Sequence, residues 1–473
     1  QEVPEQSLEE QDSKQRFSLY PGFPEDAVGD SGWTYETHGY VRMPLRFQVT
    51  NSSMDLSSAK GGGERLSSRP PYLMDDSYYL SGFAYTRVAE SEWGEIFLQA
   101  RKNNSRIVVG LFSSQFSDWS ETTIQGQGGI ATAFAEHNWG GSKDLQVKLR
   151  AGMFWDRYGY IEPYDTYLMG RTHISGLSFR VRWAREGLSP YFQGGFGAHA
   201  DVINANQGFT PVAWGSTGVD GLLGRALVDF RLFGLSTWTG DKREFSIVEN
   251  GVMTVEGAEI RLSHPDFGYF QNTFSHIAAH RIFFLSNGLE LLHSSGGAGL
   301  TTNFFGTDSE NGTGEILANA QDIRWLPGRT LSSFGVDGVG EALKGLEQRF
   351  FSMWAWVLSR QQSENPMENR HDRHYLKWGT ESFYRPPFDG WNQLFVSLRY
   401  DRVILDTNHE SMSFRVLSPK IGVTPTPGFD IFCLYSRYGY GSNIELRKNQ
   451  IPKDSTVTRP DYDMFKIQAQ VSW

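Results

Sequence analysis

Two stretches of the chain put arginine and lysine on every second residue of what is otherwise an apolar strand. Phe179, Val181 and Trp183 oppose Arg180 and Arg182, and Leu145, Val147 and Leu149 oppose Gln146, Lys148 and Arg150. A period of two sends such residues to opposite faces of a β-strand. One face then suits an apolar medium and the other suits water. A single charged residue on a strand is usually a solvated face, so it is the repetition that implies a wet interior. The last residues follow the same rule, with Phe465, Ile467, Ala469, Val471 and Trp473 on one face and Lys466, Gln468, Gln470 and Ser472 on the other. A soluble sheet can alternate in this way, but a strand closing on a terminal aromatic is the usual end of a bacterial outer-membrane barrel.

Composition agrees with a sheet whose apolar residues occupy only the outward half of each strand. Mean hydropathy is -0.43 with 14% aromatic residues and 51 glycines, and no apolar run approaches the roughly 20 residues of a membrane-spanning helix. The single cysteine, Cys433, excludes an intramolecular disulfide framework and a cysteine-based zinc cluster. A net charge of -10 argues against nucleic acid as a partner, because phosphate binding needs a basic surface. The chain opens at Gln1 without a basic and apolar leader, as expected of a mature exported protein.

Residues 1–32 are polar and acidic, without strand periodicity, and read as a flexible periplasmic arm. The first strand is expected near Tyr35, with Pro44 placed at a bulge or near its end because proline cannot donate to a ladder. Further strands are expected over 78–89, 95–100, 106–112, 144–154, 177–183, 225–233, 281–285, 350–359, 393–403, 411–417 and 430–438, with a short helix over 340–348. Trp183, Trp238, Trp378, Trp391, Tyr400 and Trp473 lie near strand ends and are expected to form girdles at the bilayer interface. The expected fold is all-β, a transmembrane antiparallel β-barrel of about 18 strands (16 also compatible). It occupies residues 33–473, after the arm.

The densest run of unusual residues is 152–170, where Arg157, Asp156, Glu162 and Asp165 are interleaved with tyrosines. Planar donors and acceptors beside ring faces match the hydroxyl edges and C–H faces of sugars. An acidic, aromatic loop of no special purpose has the same composition. At this point the chain resembles the maltoporin family of sugar-specific outer-membrane channels. The shared pieces are the opening His38-Gly-Tyr-Val-Arg42, the loop Gln115-Phe-Ser-Asp-Trp119, the segment from Arg157 to Tyr167, Arg399-Tyr-Asp-Arg-Val403 and the terminal Trp473. The resemblance implies a line of aromatic rings that guides sugars, here Tyr40, Tyr78 and Trp119 with Phe304 or Phe305, and polar partners Arg42, Arg157, Asp165 and Tyr167. It also implies a homotrimer in outer-membrane lipid. The chain departs from the family at Ser472, where a tryptophan is usual, and at the turn from Thr424 to Pro427, which carries no ring.

The function expected is passive diffusion of small hydrophilic solutes, with a carbohydrate preference, across the outer membrane of a Gram-negative bacterium. It needs no cofactor, metal or catalytic residue. A general porin or polymer-export channel is the alternative within transport. A barrel enzyme is the alternative from another class, and its pool of candidates is His276, His280 and His293 with Ser286, Ser294 or Ser295. A soluble carbohydrate-binding protein is the fourth reading. No Asp-x-Asp-x-Asp-Gly loop supports bound calcium.

Overall fold

The computed structural model describes residues 32–49, 93–114, 127–142, 145–157, 171–199, 211–238, 252–280, 314–359, 373–404, 407–408, 413–440 and 462–473. They form eighteen strands. The first six are β1 (Thr34–Val49), β2 (Trp93–Lys102), β3 (Ser105–Ser114), β4 (Gln127–Ser142), β5 (Leu145–Arg157) and β6 (Arg171–Trp183). Next come β7 (Leu188–His199), β8 (Pro211–Leu223), β9 (Ala226–Trp238), β10 (Val252–His264), β11 (Gly268–His280) and β12 (Gly314–Trp325). The last are β13 (Leu346–Ser359), β14 (Arg373–Tyr384), β15 (Leu394–Ile404), β16 (Ser413–Thr426), β17 (Phe429–Tyr440) and β18 (Tyr462–Ser472). Two short helices, α1 (Pro327–Ser333) and α2 (Asp337–Ala342), stand between β12 and β13.

Every strand pairs antiparallel with the next, and β18 pairs with β1, so the sheet closes on itself without an edge. Closure removes the unpaired ladder groups that an open sheet would expose to lipid. At the seam, Gly39 and Trp473 exchange backbone hydrogen bonds of 3.1 and 3.2 Å. The Trp473 ring also fills the space where a side chain on residue 39 would stand.

The register sorts the side chains into two sets. Arg42, Lys377 and Lys466 lie on one set and are almost fully buried, while Leu177 and Phe196 lie on the other and are 54% and 55% exposed. An apolar side chain left in water forgoes about 1.5–3 kcal/mol. An outer face of such residues is therefore a lipid face, and the buried charges are the inner wall. Trp183, Trp238 and Trp473 are exposed at strand ends on that outer face, Trp378 and Tyr400 pack at 5.2 Å, and Trp391 is exposed in the turn before β15. The chain is a closed transmembrane β-barrel.

The two ends of the barrel differ. Both chain termini of the barrel and the short connections lie at one end, including Asn103-Asn104, residues 224–225 and Pro427-Gly428. Gly428 takes φ +82° there, a conformation that glycine adopts without penalty. Connections at the opposite end are longer, as between Val49 and Trp93 or between His280 and Gly314. In outer-membrane barrels the short turns are periplasmic and the long loops extracellular.

Several sequence expectations shift. The helix expected over 340–348 is displaced, because α2 ends at Ala342 and β13 already begins at Leu346. Pro44 sits inside β1 rather than near its end, at a point where the β2 ladder has stopped at the Arg42–Trp93 pair. Its missing N–H therefore leaves no gap on that side. The arm up to residue 31 and the strands expected over 78–89 and 281–285 lie outside the described residues.

Candidate functional site

The inner wall is built from strands whose inward positions carry arginine, lysine, carboxylates and rings in alternation. Around β3 to β6, Glu136 accepts from Arg106 at 2.9 Å and from Arg150 at 2.8 Å, with Lys148 at 3.6 Å. The register sets this up, since Glu136 stands opposite Arg106 on one side and Arg150 on the other. The Arg150 guanidinium also covers the Phe134 and Phe154 rings, 4.7 and 5.2 Å from their centroids. Cation and ring faces attract through the ring quadrupole, so these arginines are held by charge and stacking together.

The motif recurs around the ring. Arg180 and Arg182 both reach Asp220 at 2.8 Å, and the Tyr191 hydroxyl donates to Asp229 at 3.1 Å beneath Arg180 and Arg231. Arg349 pairs with Asp322 at 2.6 Å, and Arg324 pairs with Glu347 at 2.6 Å. On β13 to β17, Arg399 bonds Asp401 at 2.8 Å and covers Phe351 at 4.6 Å. Lys420 pairs with Glu381 at 3.8 Å and stands 5.7 Å from the Phe395 centroid and 5.4 Å from that of Phe432. Over the described inward positions, lysine and arginine outnumber aspartate and glutamate, although the whole chain carries a net charge of -10.

Of the residues expected to line a sugar track, Tyr40 and Arg42 do stand on the inner wall. The Tyr40 hydroxyl donates to Gln470 at 3.3 Å, Gln470 donates to Asp430 at 2.9 Å, and Thr424 donates to Asp430 at 2.6 Å. Arg385, in the turn after β14, donates to Thr424 at 2.9 Å and extends this chain of bonds along the periplasmic end. Burial holds the Arg385 pKa below its ordinary value, against the pull of Asp430 and Glu347. Arg42 is almost fully buried, opposite Gln470. Arg157 ends β5, paired with Arg171, and its side chain lies outside the described residues together with Tyr78, Trp119, Asp165, Tyr167 and Phe304.

Sequence reasoning passed over Glu136, Asp220, Asp322 and the rings of Phe134, Phe351, Phe395 and Phe432. Their signal is weak in one dimension, because each partner comes from a neighbouring strand. Of the histidines considered for catalysis, His276 lies on the outer face between Glu256 at 3.0 Å and Glu315 at 3.5 Å. His280, His293, Ser286, Ser294 and Ser295 have no described side chains. Among the described residues, no group of three or more His, Cys, Asp or Glu side chains is placed to hold a metal ion.

No protein-family model and no curated protein matches this sequence. Solved structures do match in outline. Pseudomonas aeruginosa OprD is 7% identical with a TM-score of 0.41, over 93% of this chain and 95% of that one. The outer membrane channel DcaP of Acinetobacter baumannii is 8% identical with a TM-score of 0.35, over 94% and 99%. The outer membrane protein OmpT of Vibrio cholerae is 8% identical with a TM-score of 0.37, over 95% and 100%. At such identity these likenesses concern the fold, and the reading of the wall rests on this chain's own residues. A closed barrel with an apolar outer band, short turns at one end and long loops at the other is the construction used in the outer membrane of Gram-negative bacteria.

Proposed function

We propose that this chain is a passive outer-membrane channel for small hydrophilic solutes, with a preference for carbohydrates. The observation that carries the reading is the inner wall, where guanidinium groups, carboxylates and ring faces alternate from strand to strand. Such a wall offers a sugar many weak, similar contacts, to hydroxyls through the charged groups and to C–H faces through the rings. A solute can then bind well enough to enter and weakly enough to leave. Tyr40, Arg42, Tyr78, Trp119, Arg157, Asp165, Tyr167 and Phe304 are the residues proposed for the track. Reconstitution in planar bilayers tests it: malto-oligosaccharides should block the single-channel current, and Trp119→Ala should weaken the block several-fold. Current that no oligosaccharide blocks would leave a general porin.

A second preference, for anionic solutes, is favoured by the excess of inward lysine and arginine. Reversal potentials in a potassium chloride gradient separate it from neutral-sugar selectivity. Both preferences can coexist in one channel.

We also propose that copies of the barrel associate, as a trimer, through β11 and β12. On the outer face at mid-height, Asn272 and Asn319 donate to each other at 3.3 and 3.2 Å, and Gln321 donates to Asn319 at 3.4 Å. Amides facing lipid are unfavourable unless protein covers them, and three such clusters meeting around a three-fold axis would cover one another. Asn319→Leu should convert the oligomer to monomer on a native gel. An unchanged band would move the contact elsewhere.

A further inference from the structure

On the outer face, three consecutive strands carry an arginine close to their extracellular ends: Arg402 on β15, Arg415 on β16 and Arg437 on β17. Arg402 and Arg415 stand directly opposite each other in the ladder. Arg415 faces Gly439 on its other side, and Arg437 lies two residues before that glycine, on the same outward set. Arg415 and Arg437 are exposed and Arg402 is half-buried. The described carboxylate beside this group is Asp463, opposite Arg437, and it also accepts a hydrogen bond from Tyr435.

Like charges directly opposite each other destabilise a sheet, and a charge on the lipid face of a barrel is unfavourable toward the bilayer midplane. Three guanidinium groups at one level make a compact basic patch on the outer face, suited to an anionic headgroup. The level matters. Trp378 stands opposite Arg402 and packs against Tyr400, so the arginines lie in the ring of amphipathic side chains that marks the headgroup region. Other outward positions of these three strands, Val396, Leu398, Leu417, Ile421 and Ile431, are exposed and apolar and face acyl chains.

We propose that Arg402, Arg415 and Arg437 form a binding site for the phosphorylated headgroup of an outer-leaflet glycolipid, with the acyl chains lying against the apolar residues below. Guanidinium groups bind phosphate oxygens bidentately, and three of them spread over neighbouring strands match a large anionic head better than a point charge. The site rests on the outer-membrane orientation proposed above, and it is independent of what passes through the lumen.

The test uses the full chain purified in mild detergent and mixed with diphosphorylated lipid A, followed by native mass spectrometry. The parent protein should retain the lipid, and the triple variant Arg402→Gln, Arg415→Gln, Arg437→Gln should retain roughly tenfold less, the scale of one charge-assisted hydrogen bond. The single variant Arg415→Gln, which disturbs the wall least, should give an intermediate loss. Lipid A stripped of its phosphates should not be retained, and excess inorganic phosphate should fail to displace the intact lipid, because the chains contribute. Equal retention by parent and triple variant, or equal retention of the stripped lipid, overturns the proposal. Single-channel conductance of the same variants should be unchanged. A conductance lost in the parent itself would instead count against the channel reading and leave the lipid result standing.

Discussion

Glu136 and Lys420 sit in two sectors of the same inner wall that handle buried positive charge differently. Around Glu136, three cations share one carboxylate at 2.9, 2.8 and 3.6 Å. Around Lys420, Glu381 stands at 3.8 Å, and the Phe383, Phe395 and Phe432 rings also surround the ammonium at 5.9, 5.7 and 5.4 Å. A carboxylate neutralises; a ring face attracts a cation without cancelling its charge. The first sector is thus held by one carboxylate shared among three cations, and the second by one ion pair together with three ring faces.

The contrast is open to attack at both ends. Replacing Glu136 by glutamine leaves the largely buried Arg106 and Arg150 and the partly exposed Lys148 without their shared anion, so Glu136→Gln should lower stability by about 3 kcal/mol. Urea unfolding of the folded barrel in detergent measures it, and a loss below about 1 kcal/mol would mean that the cluster is not a clamp. Lys420→Gln should change stability far less and act on permeation instead, reducing the anion-to-cation permeability ratio by roughly twofold. A ratio that stays constant while stability collapses would reverse the roles assigned to the two sectors.

The parts of the barrel legible in the sequence are those where inward and outward residues differ most in chemistry. Lys148 and Arg150 against Val147 and Leu149 could be read at once, and β5 and β6 follow. Strand β4 could not, because its outward positions include Ala133 and Ala135, which contrast little with Thr132 and are flanked by glycines. Strands β11 and β12 were hidden by the outward Asn272, Asn319 and Gln321, which break the alternation where protein contact is proposed. The approximate strand number was legible because length divided by a typical strand and connection is insensitive to such gaps. For the site, Tyr40 and Arg42 came from the resemblance to the maltoporin family, and the strand register puts both on the inner wall. The partners of Glu136 were not legible, since Arg106 and Arg150 are brought beside it only by the register of two different strand pairs.

The seam between Gly39 and Trp473 has a consequence for how the ring can form at all. It joins residues separated by almost the whole chain, so it carries the largest loop-closure entropy of any pairing in the sheet. A slip of one residue there would turn every side chain of β18 to the wrong face, sending Lys466 and Gln468 toward lipid. The indole of Trp473 fits over Gly39, whereas the neighbours His38 and Tyr40 both carry side chains. The last residue therefore acts as a gauge, admitting the one alignment in which a ring this long closes with its charges inside.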